Sequence, residues 1–219
     1  MRYGKKTVKL VDCRVHGPDS GAELFLVEGD SAASSVASQR DKNFQAVLPM
    51  QGKPMNAIKA SESRIMSNAL FVSLFDALGK EAVADKANSL FSLRFEKVVL
   101  LFDPDADGIH SGALMLMFLS RFYPALLNAG RVLTVRAPLF RVTSASLGQS
   151  FYAASEAHLA HIRKQLADRA VTDTQTIRYR GLGSLEQDLL AERCIDPQTR
   201  VADVMNMRDA AMAVEVFGG

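Results

Sequence analysis

Lys97-Val98-Val99-Leu100-Leu101-Phe102 runs without a turn former into Asp103-Pro104-Asp105-Ala106-Asp107-Gly108. A short, mostly aliphatic run of this kind reads as a β-strand buried on both faces. It stops at a carboxylate, and two more acids follow at a spacing of two, so three like charges meet at one strand end. Such charges repel unless a positive group holds them, and a hard divalent cation with oxygen ligands, such as Mg²⁺, meets that need economically. The plainer alternative is an acidic surface turn stopped by glycine. The calcium-loop pattern fits through Gly108, but its twelfth position is Leu114 where a bidentate Glu is required, and a strand precedes it where a helix belongs. Ala113 to Phe122 is apolar and compatible with a helix. The acids therefore fall in a strand-to-helix turn, where open α/β sheets place their ligands.

The surroundings are those of an ordinary globular chain. Of 219 residues, 48% are hydrophobic and 23% charged, and no uncharged apolar run reaches the length of a membrane span. Met1-Arg2-Tyr3-Gly4-Lys5-Lys6 is basic but lacks the apolar stretch of a signal peptide, so a cytoplasmic protein is expected. A formal charge of +2 permits a local basic face without requiring a nucleic-acid partner. Cys13 and Cys194 are far apart, without C-x-x-C spacing, and read as reduced structural thiols.

Residues 1–21 are polar and irregular. Glu23 to Val27 reads as a strand ending at Glu28-Gly29-Asp30-Ser31, with a helix from Ala32 to Arg40 capped by Asp30 or Ser31. Glu is a poor N-cap, so Glu28 at a second strand end is a site candidate. Gln45 to Met50 is another strand, leading to Gln51-Gly52-Lys53-Pro54-Met55-Asn56. A phosphate-binding G-x-x-x-x-G-K-[ST] loop would need Gly at Val47 and Ser or Thr at Pro54, so there is no nucleotide site of that kind. Residues 57–92 predict two or three helices broken near Gly79, residues 109–127 one helix, and Arg131 to Arg136 a fourth strand. This order predicts an α/β fold with a parallel, Rossmann-like sheet covered by helices on both faces. Beyond Pro138 the pattern changes to a smaller α+β tail. It predicts a hairpin around 140–153, a helix from Glu156 to Asp168, an edge-like strand at Gln175 to Arg180, a Gly181-Leu182-Gly183-Ser184 turn, a helix, a short strand near Val201–Met205 and a last helix from Asp209. A division into 1–139 and 140–219 is expected. The turn is not a dinucleotide fingerprint, which would need Gly at Glu186, and His158 with His161 lacks the other ligands of a zinc site.

Four motifs occur in order: Glu28-Gly29-Asp30-Ser31-Ala32; Leu48-Pro49-Met50-Gln51-Gly52-Lys53 with Asn56 and Lys59-Ala60; Asp103-x-Asp105-x-Asp107-Gly108-x-His110; and Tyr179-Arg180-Gly181-Leu182-Gly183. In order and approximate spacing the chain resembles, from about Leu10 to Phe217, the TOPRIM domain and C-terminal tail of the B subunits of bacterial type IIA topoisomerases, DNA gyrase and topoisomerase IV. The resemblance implies Mg²⁺ ligands at Glu28, Asp103, Asp105 and Asp107, with Mn²⁺ as a substitute. It assigns catalytic roles to Glu28, Asp103 and Asp105, and DNA-phosphate contacts to Lys53, Lys59 and His110. The implied partners are DNA and an A subunit that supplies the cleaving tyrosine in trans; none of Tyr3, Tyr123, Tyr152 and Tyr179 stands where the family carries a nucleophile. A cytoplasmic, nucleoid-associated protein is implied, with no membrane partner.

The chain departs from the family pattern at several places. Ala33 and Ser34 replace two glycines, Gln51 a basic residue, Gly112 an arginine, and Glu186-Gln187 an Asn-Pro pair. No ATPase motif is present, so the expectation is an excised segment or a short free-standing relative, the divergent motifs favouring the latter. The rivals to a topoisomerase module are a non-catalytic protein that binds DNA or an A subunit, and a metal-dependent nuclease.

Overall fold

The computed structural model describes residues 9–80 and 90–218. In chain order its elements are β1 (Glu23–Glu28), α1 (Gly29–Gln39), β2 (Gln45–Met50), α2 (Glu62–Ser67), α3 (Ala69–Leu78), β3 (Lys97–Leu101), α4 (Ala106–Phe122), α5 (Pro124–Asn128) and β4 (Val132–Val135). They continue with β5 (Phe140–Ser144), β6 (Gln149–Ala153), α6 (Glu156–Asp168), β7 (Thr174–Arg178), α7 (Gln187–Leu190), β8 (Ala202–Met205) and α8 (Met207–Phe217). The main sheet has the order β2-β1-β3-β4-β8, the first four strands parallel and β8 antiparallel; β6-β5-β7 form a second, antiparallel sheet. The fold is α/β, and the parallel sheet expected from the β3 run is present.

Strand alternation sends successive side chains to opposite faces. Leu24, Leu26, Leu48, Val98 and Leu100 meet α3, α4 and α8 on one face. Phe25, Val27, Val47, Val99 and Leu101 lie on the other, where α1 supplies Ala32, Ala33 and Val36 and the late segment supplies Leu182, Leu185, Leu189, Leu190, Cys194 and Ile195. The tail is therefore split. β5, β6 and α6 enclose a small core of their own around Phe140, Val142, Leu159 and Ile162, whereas residues 182–217 return to complete the main sheet and cover it.

Three boundaries differ from expectation. The helix after β1 begins at Gly29, not Ala32; Glu28 occupies the N-cap position without a side-chain capping bond, and neither Asp30 nor Ser31 caps. The helix expected over 109–127 is two, because Pro124 lacks the amide hydrogen needed to continue α4 and instead starts α5. The last helix starts at Met207, closed by a capping box between Asn206 and Asp209. Gly79 ends α3 at φ 106°, the expected break; any third helix within 81–89 lies outside the described residues. Pro49 sits in β2 at the edge of the main sheet, where a missing donor is tolerated, and Val11 forms an isolated antiparallel bridge to Val47.

Both cysteines are free and buried. Burial pushes the Cys194 thiol up to about 12, and burial followed by the nearby Asp12 carboxylate raises that of Cys13. Neither thiol is expected to react with a disulfide-exchange reagent at pH 8 until the chain is unfolded, when both should titrate; fast labelling of native protein would contradict this packing.

Candidate functional site

Parallel pairing in register, Val27 opposite Leu101, brings the C-terminal ends of β1 and β3 side by side. Glu28 is the last residue of β1, and Asp103 stands just past the end of β3. The turn after β3 is then fixed by its own chemistry. Asp105 is the N-cap of α4 and accepts a hydrogen bond from the Gly108 amide at 2.9 Å. A Cβ on Gly108 would lie 1.9 Å from the Asp103 carbonyl oxygen, so only glycine lets the helix start this close to the strand end.

Asp103 is held from the far end of the sequence. Its Oδ1 accepts from the Leu182 amide at 2.8 Å, and Gly181, at φ 148°, leaves only enough space for Oδ2, which a Cβ would meet at 2.6 Å. The Gly-Leu-Gly turn is itself anchored. The Tyr179 hydroxyl donates to Glu186 Oε2 at 2.8 Å, Arg141 pairs with Glu186 at 2.7 Å, and the Arg180 amide donates to Ser184 Oγ at 2.9 Å. Glu186, which replaces the asparagine of the resembling family, thus ties the second sheet to the turn that positions Asp103. The motif was visible in the sequence, but the atom it serves was not.

Asp107 is exposed and pairs with Lys53 Nζ at 2.7 Å. Lys53 lies in the loop after β2, which turns at Gly52 (φ 78°) and is held to α4 by Arg121, whose guanidinium donates to the carbonyls of Ala57 and Ala60. Asn56 Oδ1 accepts the amides of Ile58 and Lys59, so Lys59 shares this loop. His110, one turn into α4, is stacked on Phe217 of α8 with ring centres 5.0 Å apart. The structure thus brings Glu28, Asp103, Asp105, Asp107 and Lys53 together, sets Lys59 on the adjoining loop, and engages His110 with the last helix.

The electrostatics are those of crowded carboxylates. Burial pushes the Glu28 carboxyl up, and Asp103, Asp105 and Asp107 push it further against the opposing pull of Lys53. Asp103 is raised by burial and by Asp105, partly offset by the Leu182 amide. Lys53 holds Asp107 below the usual carboxylate range, by hydrogen bond and by charge. A carboxyl raised in the folded state stabilises the fold while protonated and loses that contribution as pH rises through its folded pKa. Glu28 and Asp103 are therefore sites where ionisation costs stability and a bound cation would return it.

The donor set consists of carboxylate oxygens, the ligand type of Mg²⁺ and Mn²⁺, so the residues present fit such an ion. Each of Asp103, Asp105 and Asp107 has one oxygen bonded as described. Among the described residues no three of the four carboxylates have oxygens mutually within 4.8 Å; the group that does is Asp12, Cys13 and His16. There Arg94 Nη2 already stands 2.7 Å from Asp12 and 3.1 Å from His16 Nε2, and the guanidinium supplies the positive charge that joins the leading segment to the core. A cleft of about 680 Å³ opens on the other side of Asp103, with Ile109, Gly112, Arg136, His158 and Phe217 in its walls. Gly112 lines it where the resembling family has an arginine.

A Toprim domain matches residues 23–137, the span from the first residue of β1 to just past β4. The chain belongs to the Toprim family. Its Toprim sheet and the segment that covers it align along 95% of the chain with the DNA gyrase B subunits of several organisms: 34% identity to the protein from Thermus thermophilus, 37% to that from Mycobacterium leprae and 32% to that from Archaeoglobus fulgidus. The alignment extends beyond the Toprim domain itself and is consistent with the Toprim region of a type IIA topoisomerase B subunit. The chain spans about a third of the length of these curated relatives, 32% of the first. Among the described residues no helix of this Toprim protein is long and apolar enough to cross a membrane.

Proposed function

We propose that this chain is the Mg²⁺-binding Toprim module of a type IIA DNA topoisomerase, supplying the metal half of a DNA cleavage and religation centre whose tyrosine comes from an A subunit. The observation that carries this reading is the meeting of Glu28, Asp103, Asp105 and Asp107 at two adjoining strand ends, with the Glu28 and Asp103 carboxyls raised by burial and by their neighbours. Glu28, Asp103, Asp105 and Asp107 would hold the ion, and Mn²⁺ would serve in its place. When bound, the ion would offset charge that builds on the phosphodiester oxygens. Glu28, one of the two raised carboxyls, is the group poised to carry a proton. Lys53, Lys59 and His110 belong to the DNA side of the reading; as phosphate contacts they would add affinity that falls with salt and carries no sequence information.

The nucleophile is assigned to the partner because the described tyrosines are otherwise engaged. Tyr123 is buried with its hydroxyl directed to the Gly79 carbonyl, Tyr179 is buried on Glu186, and Tyr152 lies under the Arg193 guanidinium. Tyr3 lies outside the described residues. The same reading treats 1–139 as the Toprim unit and 140–219 as the tail that positions Asp103, and expects a cytoplasmic, nucleoid-associated complex. A non-catalytic binder is the alternative that the uncharged Gln51 and Gly112 favour.

Thermal unfolding of the purified chain tests the metal site directly. The melting temperature should rise with Mg²⁺ concentration by linkage, more at pH 8 than at pH 5, because protons compete for raised carboxyls. Without the ion, Glu28→Gln should lessen the loss of stability that accompanies ionisation of Glu28 as pH rises. A melting temperature indifferent to Mg²⁺ at both pH values would remove the site. The chain alone should not become covalently attached to DNA, and an adduct on any of its tyrosines would overturn the assignment of the nucleophile to a partner.

A further inference from the structure

The cleft of about 680 Å³ beside Asp103 is walled mainly by apolar side chains, Phe102, Ile109, Leu116, Val135, Met205 and Phe217 among them. That volume and that lining are those of a pocket for a small organic molecule. Ile109 and Phe217 are 62% and 37% exposed, so apolar surface faces water here. Gly112 keeps the cleft open. It lies inside α4, where glycine weakens a helix, and the backbone does not call for it: a Cβ would meet only the Phe102 ring, at 3.5 Å, an ordinary contact. What the missing side chain yields is space.

This chamber adjoins a smaller cleft, of about 110 Å³, and the two share Arg136, Ala154 and His158 as walls. Asp103 lines the first and not the second. The annex adds Arg193, carried on a π-helical turn (Ala191–Ile195), a rare form that recurs at functional positions. The Arg193 guanidinium lies 5.2 Å from the centre of the Tyr152 ring, and its Nε is buried without a hydrogen bond, although Glu192 stands 3.2 Å away as an ion pair. Asp203 holds Arg136 through Nε and Nη2, at 2.5 and 2.7 Å, which fixes the guanidinium and leaves Nη1 to donate elsewhere. His158, exposed in the first turn of α6, adds a ring that can donate. Two guanidiniums and an imidazole thus close one end of an apolar chamber.

We propose that the two clefts together form a site for a small amphipathic organic anion, with its aromatic body in the chamber beside Gly112 and its acidic head against Arg136, Arg193 and His158. The inference goes beyond the topoisomerase reading and needs neither the metal nor DNA. Charge complementarity names the occupant. An uncharged apolar molecule would leave the guanidiniums unused, and an inorganic anion would leave the apolar walls wet. Guanidinium suits the head group, because it bonds carboxylate, sulfonate or phosphate oxygens directionally and stays charged beside Asp203 and Glu192.

The test is a fluorescence titration of the purified chain, in EDTA, with two probes that share a body. One, 1-anilinonaphthalene-8-sulfonate, carries an acidic head, and the other, N-phenyl-1-naphthylamine, does not. The wild type should bind the sulfonate saturably and more tightly than the neutral amine. Gly112→Leu should fill the chamber and weaken both probes by roughly tenfold or more, and Gly112→Ala, which intrudes less, should weaken both by less. Arg136→Gln/Arg193→Gln should weaken the sulfonate roughly tenfold and leave the amine unchanged. Met66→Gln, at an exposed apolar position on α2, should alter neither. Melting curves without probe establish that each variant is folded. No saturable binding by the wild type, or undiminished binding by folded Gly112→Leu, would overturn the proposal. So would an equal loss of both probes in the arginine variant, since the cationic wall would then hold no head group. Sulfonate binding that needs Mg²⁺ would place the probe on the acid cluster and overturn it too. A wild type that binds both probes in EDTA while its melting ignores Mg²⁺ would remove the metal reading and leave this site standing.

Discussion

Glu28→Gln and Asp105→Asn are each expected to lower Mg²⁺-dependent DNA cleavage by about 10²–10⁴-fold in a complex reconstituted with a tyrosine-bearing A subunit, while leaving the fold intact. The choice of variants follows from the structure. Glu28 stands at the N-cap of α1 without a capping bond, so the amide removes charge and nothing else that the helix uses. Asp105 does cap α4, through the Gly108 amide, and asparagine caps as well as aspartate does. Asp105→Ala would confound lost charge with a lost cap worth about 1 kcal/mol. Cleavage is read as linear DNA trapped from a supercoiled plasmid, and folding as a melting temperature in the absence of Mg²⁺ no lower than that of the wild type. Either variant cleaving at the wild-type rate would leave the acid cluster without a role in the chemistry and would move the balance to a module that only binds.

Arg200→Ala is expected to destabilise the chain by about 3–5 kcal/mol, the largest single-residue effect on stability that the structure suggests. Arg200 and Glu23 form a bidentate pair at 2.5 and 2.8 Å, with side-chain exposures of 4% and 2%. Gln45 Nε2 donates to the same carboxylate at 2.9 Å, and the Arg200 guanidinium also lies over the Phe25 ring. Truncating the arginine leaves a buried carboxylate with one neutral donor, and the cost is that of the stranded charge more than of the pair itself. The double variant Glu23→Gln/Arg200→Met should accordingly recover most of the loss in urea unfolding. A loss below about 1 kcal/mol for Arg200→Ala would mean that water reaches Glu23. The pair sits at the start of β1 and the acids at its other end, so Arg200→Ala should weaken the fold at moderate urea without altering the Mg²⁺ response of the protein that remains folded.

The sequence by itself determined the part of this protein that depends on near neighbours. An apolar run without turn formers gave β3, and Asp103, Asp105 and Asp107 at a spacing of two were legible as a strand-to-helix turn, whose cap at Asp105 and close approach at Gly108 the structure then supplied. The four motifs located Glu28 at a second strand end, and the parallel sheet followed from the alternation of strands and helices. The tertiary structure alone decided what reaches across. The Leu182 amide binds Asp103 from 79 residues away, and Arg200 neutralises Glu23 across 177. One face of the sheet is closed by residues 182–195, which in sequence read as part of a separate tail. The reason is physical. Periodicity and capping are set within a turn or two of chain, whereas a long-range bond exists only where register and exclusion of water make an unpaired polar group more costly than an ordered loop. Nothing in the local pattern of Tyr179 to Ser184 states which carboxylate its amides will meet.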